Sequence, residues 1–125
     1  MESLSPNIFV DSMNETLSYY ETIGFTKVMT VPEQGEDVVW AMMANGSVTL
    51  MFQTFASLGG ELPEISRKSG GSLLFYIKLT GIRDFFEQLK DKVKVLKGLE
   101  VTFYGATEFS ILDNNGYVLT FAEDE

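Results

Sequence analysis

Apolar and polar residues alternate from Leu4 to Val10, which predicts a strand, with Pro6 compatible with a strand start or an edge. The period then changes. Met13, Leu17 and Tyr20 recur at i, i+4 and i+7, one face of a helix, behind Asp11, Ser12 or Asn14 as candidate caps. Gly24 stands where a helix commonly ends in a left-handed residue. Three β-like runs follow, Thr26 to Val31, Val38 to Ala44 and Ser47 to Gln53. Asn45-Gly46 between the last two predicts a two-residue hairpin, because both residues tolerate positive φ. The first half therefore reads βαβββ.

Phe55 to Gly71 breaks the periodicity with Gly59-Gly60, Pro63 and Gly70-Gly71 and reads as a connector. The same order of patterns then restarts. Ser72 to Leu79 predicts a strand, and Ile82, Phe85, Phe86, Leu89 and Val93 form a helical stripe behind Thr80 as the cap. Short β runs fit from Lys94 to Lys97 (around Val95-Leu96), from Phe109 to Leu112 and from Tyr117 to Phe121, with Asp113-Asn114-Asn115-Gly116 as the last turn. Tyr19-Tyr20-Glu21 and Phe85-Phe86-Glu87 occupy similar places in the two helices. An open four-stranded sheet covered on one face by a single helix needs a partner, so the two βαβββ units are expected to associate around a shared cleft. Short β runs by themselves also leave a ferredoxin-like dimer open.

With 125 residues, 45% of them hydrophobic, the chain can build one modest core. No apolar run approaches the ~18 residues of a membrane span, and Met1 to Pro6 lacks the basic-then-apolar pattern of a signal peptide, so a cytoplasmic protein is expected. The absence of Cys and His changes the picture most, since it removes disulfides, thiolate metal sites, the commonest metal ligand and the commonest general base. A net charge of −9 repels phosphate backbones and argues against nucleic acid as a partner, while permitting a cationic ligand.

The stretch from Val10-Asp11-Ser12 through Tyr19-Tyr20 to Gly24-Phe25 resembles the first strand and helix of the vicinal oxygen chelate superfamily (glyoxalase, bleomycin resistance protein, extradiol dioxygenase), specifically its metal-free, bleomycin-resistance-like branch. Tyr104 to Phe121 is similar to the closing hairpin of that family, with Asp113-Asn114-Asn115-Gly116-Tyr117 in place of the usual Asp-Pro-Asp-Gly-Tyr. The resemblance implies an α+β fold of two βαβββ modules whose curved mixed sheets form a cleft. It implies a single domain over residues 1–125, with units 1–54 and 72–125 joined by a connector 55–71. Metal-dependent members carry one His, Gln or Glu on each of four strands; the matching positions here are Ser5, Thr49, Ser72 and Thr120. Neutral hydroxyls bind divalent cations poorly, so neither a metal nor any other cofactor is expected.

Residues sharing parity with those positions are expected to line the cleft: Ser5, Asn7 and Phe9; Thr49, Met51 and Gln53; Ser72, Leu74 and Tyr76; and Thr120. A turn centred on Asn45-Gly46 would set Met42 opposite Thr49, Trp40 opposite Met51 and Val38 opposite Gln53. Phe9, Trp40 and Tyr76 are then candidates to stack on a planar ring or hold a cation, and Met42 and Met51 to line the pocket. Without Cys or His no nucleophile with an adjacent base can be assembled, and Ser72 and Ser110 have no visible partner. Glu108 reads first as a solvated strand-end carboxylate, and as a general base only if the cleft reaches it. The expected function is metal-independent binding of an amphipathic or cationic small molecule, such as an antibiotic, by a homodimer. The alternative is a lyase, isomerase or dioxygenase of the same fold working through a non-standard site, with Glu108, Tyr76 or Tyr104 in acid–base roles.

Overall fold

A computed structural model describes residues 1–125, which divide into two compact units, Met1–Ser69 and Gly70–Glu125. The first contains β1 (Asn7–Val10), α1 (Met13–Thr22), β2 (Thr26–Val31), β3 (Trp40–Asn45), β4 (Val48–Thr54) and a short α2 (Phe55–Leu58). The second contains β5 (Leu74–Lys78), α3 (Ile82–Leu89), β6 (Lys94–Val101), β7 (Ala106–Leu112) and β8 (Val118–Asp124). The strand order is β1-β4-β3-β2 in one sheet and β5-β8-β7-β6 in the other. In each, the first strand runs parallel to the last and the other pairs are antiparallel. Each unit is thus an open mixed βαβββ sheet, and the chain is an α+β protein written twice. None of its helices is long and apolar enough to cross a membrane.

The repeat extends to register. Asn7 faces Met51 in the first sheet as Tyr76 faces Thr120 in the second, an offset of 69 in both strands (76 − 7 and 120 − 51). The same offset carries Met13 at the start of α1 to Ile82 at the start of α3. Tyr20 therefore corresponds to Leu89, and the Tyr19-Tyr20 and Phe85-Phe86 pairs, alike in sequence, are not structural equivalents. Their jobs differ accordingly. Tyr20 is fully buried, its ring 4.7 Å from Phe52 and 5.7 Å from Phe25. Phe85 and Phe86 instead bracket Phe109, at 5.9 and 5.0 Å, in a cluster that Phe121 completes.

Local chemistry explains the ends of the helices. Ser12, among the three candidate caps, is the one whose Oγ accepts the Glu15 N–H, at 3.2 Å. Thr80 does not cap α3. The cap position belongs to Gly81, left-handed at φ 75°, and its missing side chain is replaced by Glu123 of β8, whose two oxygens accept the N–H groups of Gly81 and Ile82 at 3.0 and 3.1 Å. Val93 falls beyond α3, which stops at Leu89, because the chain turns at once into β6. The presumed connector is also ordered. Thr54 caps α2, and the Arg67 guanidinium donates to the carbonyls of Gly59, Glu61, Leu62 and Ile65, closing the loop that follows. Gly70 is more than a linker glycine, since a Cβ there would stand 3.0 Å from the Gly116 carbonyl oxygen at a positive φ of 82°.

The hairpin between β3 and β4 turns on Gly46-Ser47 rather than Asn45-Gly46. Asn45 stays in the strand, its Nδ2 donating to the Gly24 carbonyl at 2.9 Å, and Gly46 alone takes positive φ, the glycine-first arrangement of a type II′ turn. Moving the turn by one residue moves every partner by two. Ala44 faces Thr49, Met42 faces Met51 and Trp40 faces Gln53, while Val38 lies outside β3. A shift of two preserves parity, so each side chain keeps its expected face.

Candidate functional site

Each sheet sends one set of alternating side chains toward its helix and the other set away. In the first unit Ile8, Val10, Ala41, Met43, Leu50 and Phe52 are buried on the α1 side. The opposite face carries three rows across β1, β4 and β3. Asn7, Met51 and Met42 form one row, and Phe9, Gln53 and Trp40 the next. In the third, Thr49 lies beside Ala44, and Ser5, just before β1, reaches Thr49 with its hydroxyl, Oγ to Oγ1 at 3.1 Å. All of these except Asn7, which is exposed, are half-buried.

Polar contacts fix the middle of this face. Gln53 accepts from Asn7 Nδ2 at 3.0 Å and donates to Ser57 Oγ at 3.3 Å, which holds its amide between Phe9 and Trp40. Phe9 also meets Phe55 at a centroid distance of 6.2 Å. The arrangement is an aromatic and thioether surface crossed by an oriented amide and a hydroxyl pair, the usual mixture of a small-molecule site. Trp40 lies beside Gln53 instead of Met51, on the expected face.

The second unit repeats the rows with different chemistry. Leu74 faces Val118, Tyr76 faces Thr120, and Lys78 faces Ala122 on β8; beyond β8 stand Leu112, Ser110 and Glu108 of β7. Thr120 Oγ1 and Ser110 Oγ are 2.8 Å apart. Ser72 lies outside β5 and is exposed, and Thr120 pairs with Tyr76, so Ser72 and Thr120 are not brought together as Ser5 and Thr49 are. By the offset of 69, the counterparts of Ser5 and Thr49 are Leu74 and Val118 (5 + 69 and 49 + 69).

No divalent-metal donor set results. The hydroxyls at Ser5, Thr49 and Thr120 are engaged with other hydroxyls, and no three carboxylates gather anywhere in the chain. Neutral hydroxyls are weak ligands for transition metals, so these residues do not fit a chelated metal.

Glu108 is the group that sequence reasoning undervalued. It is half-buried beside Ala122, and both Tyr76 and Tyr104 donate their hydroxyls to its Oε2, at 2.5 and 2.6 Å. Tyr76 starts from β5, on the far side of β8. Tyr76 pairs with Thr120 and Glu108 with Ala122, two positions on, so the long phenol and carboxylate meet diagonally across the central strand. The hydrogen bond to Glu108 is the main reason the Tyr76 phenol is pushed up to about 12, with desolvation and the Glu108 charge adding to it. Tyr104 is raised for the same first cause. Counting back from Val118↔Leu112 across the Asp113–Gly116 turn places Glu108 on the Tyr76 face, so the signal was present in the register. That turn is firmly set, since the Asp113 Oδ1 accepts the N–H groups of both Asn115 and Tyr117 at 2.8 Å.

Comparison with known proteins agrees with this architecture. No curated protein matches the chain. Among solved structures, the bleomycin resistance determinant encoded on transposon Tn5 superposes with a TM-score of 0.68 at 20% identity, covering 100% of this chain and 99% of that one. TioX from Micromonospora sp. ML1 gives 0.77 at 14% identity over the whole of both chains. A glyoxalase/bleomycin resistance protein/dioxygenase family enzyme from Burkholderia phytofirmans PsJN gives 0.77 at 15% identity over 97% of each. At these identities the likeness carries the fold alone. The family pattern, however, matches residues 4–121, from the segment just before β1 that supplies Ser5 to the strand that supplies Thr120. With its twice-written βαβββ unit, the chain belongs to the glyoxalase/bleomycin resistance protein/dioxygenase superfamily.

Proposed function

We propose that this protein binds an amphipathic small molecule without a metal and without altering it. The observation that carries this reading is the Ser5–Thr49 hydroxyl pair: two positions that the family resemblance gives to metal ligands hold hydroxyls satisfied by each other. The same face offers Phe9, Gln53 and Trp40 in one row, two aromatic surfaces flanking a fixed amide. A planar ligand would stack on the rings and exchange hydrogen bonds with the amide. The name of the Tn5 resistance determinant makes an antibiotic one candidate ligand, and sequestration the corresponding activity. The cytoplasm is the compartment that suits a chain free of Cys.

The test is a ligand screen by thermal shift, since a ligand at 100 times its Kd adds roughly 2.7 kcal/mol to stability. Hits are then titrated against the fluorescence of Trp40, the only tryptophan. Trp40→Ala is expected to weaken binding by about 1–3 kcal/mol while the fold survives. Unchanged affinity in that variant, or one dialysis-resistant metal ion per chain in elemental analysis, would overturn the reading.

A second reading is favoured by Glu108 with its two phenols, which has the composition of an acid–base site. A phenol pushed up to about 12 is a weak proton donor near neutrality, and Glu108 already accepts two hydrogen bonds, so we place this reading second. Turnover of a verified ligand, lost in Glu108→Gln, would reverse that order.

A further inference from the structure

We infer that Glu108, Tyr76 and Tyr104 form a subsite for a primary ammonium or amidinium group carried on an apolar or aromatic body. The inference rests on the ligand-binding reading above and names the class of ligand. It begins with an unmatched charge. The ion pairs of the chain are Lys78–Asp124, Arg83–Glu125, Lys90–Glu87 and Lys97–Glu100, and none includes Glu108. Lys97, whose ammonium feels the Glu108 charge only after that of Glu100, is committed to Glu100 at 3.0 Å. Glu108 instead receives two neutral donors, and both go to Oε2. Oε1 has no protein donor, and its lone pairs remain available.

The two phenols hold the carboxylate but do not neutralise it. They also supply the second half of the subsite, because Tyr76 is 47% exposed and Tyr104, whose ring meets Phe103 at 5.0 Å, is 57% exposed, which leaves aromatic surface accessible beside the charge. A phenol that donates to a carboxylate gains electron density in its ring, which strengthens attraction for a cation over its face. Leu74, half-exposed one row away, extends the surface with an aliphatic contact. A primary ammonium or a planar amidinium can donate N–H groups to Oε1 while its apolar body lies on the rings. A quaternary ammonium can use only the rings, and an anion is repelled. The subsite therefore discriminates by charge first and by hydrogen-bond donors second.

The experiment is a titration of the ¹⁵N-labelled full chain with benzamidinium, its neutral isostere benzamide, and benzyltrimethylammonium. The readouts are the backbone amide shifts of Tyr76, Tyr104 and Glu108. Benzamidinium is expected to saturate these shifts about ten-fold more tightly than benzamide, as one charge-assisted hydrogen bond would give, with benzyltrimethylammonium between them. Glu108→Gln, which keeps the size and an acceptor for both phenols, should remove the gap by weakening benzamidinium alone. Added salt should narrow the gap in the unmodified protein, a check that holds if Glu108→Gln folds poorly.

Equal affinities for benzamidinium and benzamide, a gap that persists in Glu108→Gln, or no shift at these residues up to millimolar benzamidinium would each overturn the proposal. Trp40 fluorescence keeps the two readings apart. Benzamide and benzamidinium quenching Trp40 equally would leave ligand binding standing and remove the cation preference. Glu108-dependent shifts in a protein whose Trp40 responds to no ligand would do the reverse.

Discussion

Tyr76 gives up its proton reluctantly, because the resulting phenolate would face the Glu108 carboxylate across a hydrogen bond that the proton now makes. An unfolded tyrosine titrates near 10.0 and this one at about 12, so between those values the folded chain holds a proton that the unfolded chain has released. The stability this contributes is complete below pH 10 and is lost as the pH rises toward 12. Urea melts across that interval should show the decline, and Tyr76→Phe should flatten it; an identical profile in the variant would refute the linkage. Thr107 presents the opposite case, a polar group with nothing to hold. Its Oγ1 is buried without a partner on the helix side of β7. Thr107→Val removes an unmet hydrogen bond at nearly constant volume and is expected to raise stability by about 1 kcal/mol, read as a higher denaturation midpoint at unchanged slope. The faces of Trp40, Met42, Met51 and Gln53 were legible in the sequence, because alternation depends only on parity. Their opposing partners were not, because Asn45 was held in its strand by a hydrogen bond to Gly24, a residue far along the chain.

At the scale of elements, the two longer helices, α1 and α3, start by different means. Ser12 caps α1 with its own hydroxyl, a local arrangement that the residue order announces. Gly81 has no side chain to offer, and Glu123 reaches α3 from the last strand. The backbone N–H groups of Ile82 and Gly81 hold the Glu123 carboxyl below its usual value of 4.5, with Arg83 assisting. A carboxylate whose pKa falls on folding contributes stability above its unfolded pKa and loses it as the pH falls through the folded value. Glu123→Gln should therefore lower the melting temperature at neutral pH, with the difference from the unmodified protein shrinking below about pH 4.5. A difference constant across that range would mean that shape, not charge, supports the helix. Strand β6 was the hardest element to read. Register shifts after Val95 and again after Lys97 break its alternation, so the eight residues from Lys94 to Val101 never show the period of two on which sequence reading relies.

At the scale of the whole molecule, edge strand β2 exposes Val28, Met29 and Val31, each about half accessible, along the outer side of the first sheet. Apolar edges of this kind are normally covered. We expect a homodimer, visible in light scattering as twice the 14.0 kDa chain mass, and a monomer at micromolar concentration that still binds ligand would refute it. The sequence by itself determined the twice-repeated βαβββ order and, in the strands that alternate regularly, the face of each residue. These follow from periodicity and from turn and cap residues, all of which act within a few positions of one another. Tertiary structure alone decided which polar groups meet. The Ser5–Thr49 pair, the cap that Glu123 lends to Gly81 and the two phenols on Glu108 join residues 44, 42 and 32 positions apart, apart from Tyr104, which is four from Glu108. Their distances are set by strand pairing, which brings Tyr76 of β5 and Glu108 of β7 to one face on either side of β8, and pairing partners are fixed only when the sheet has formed.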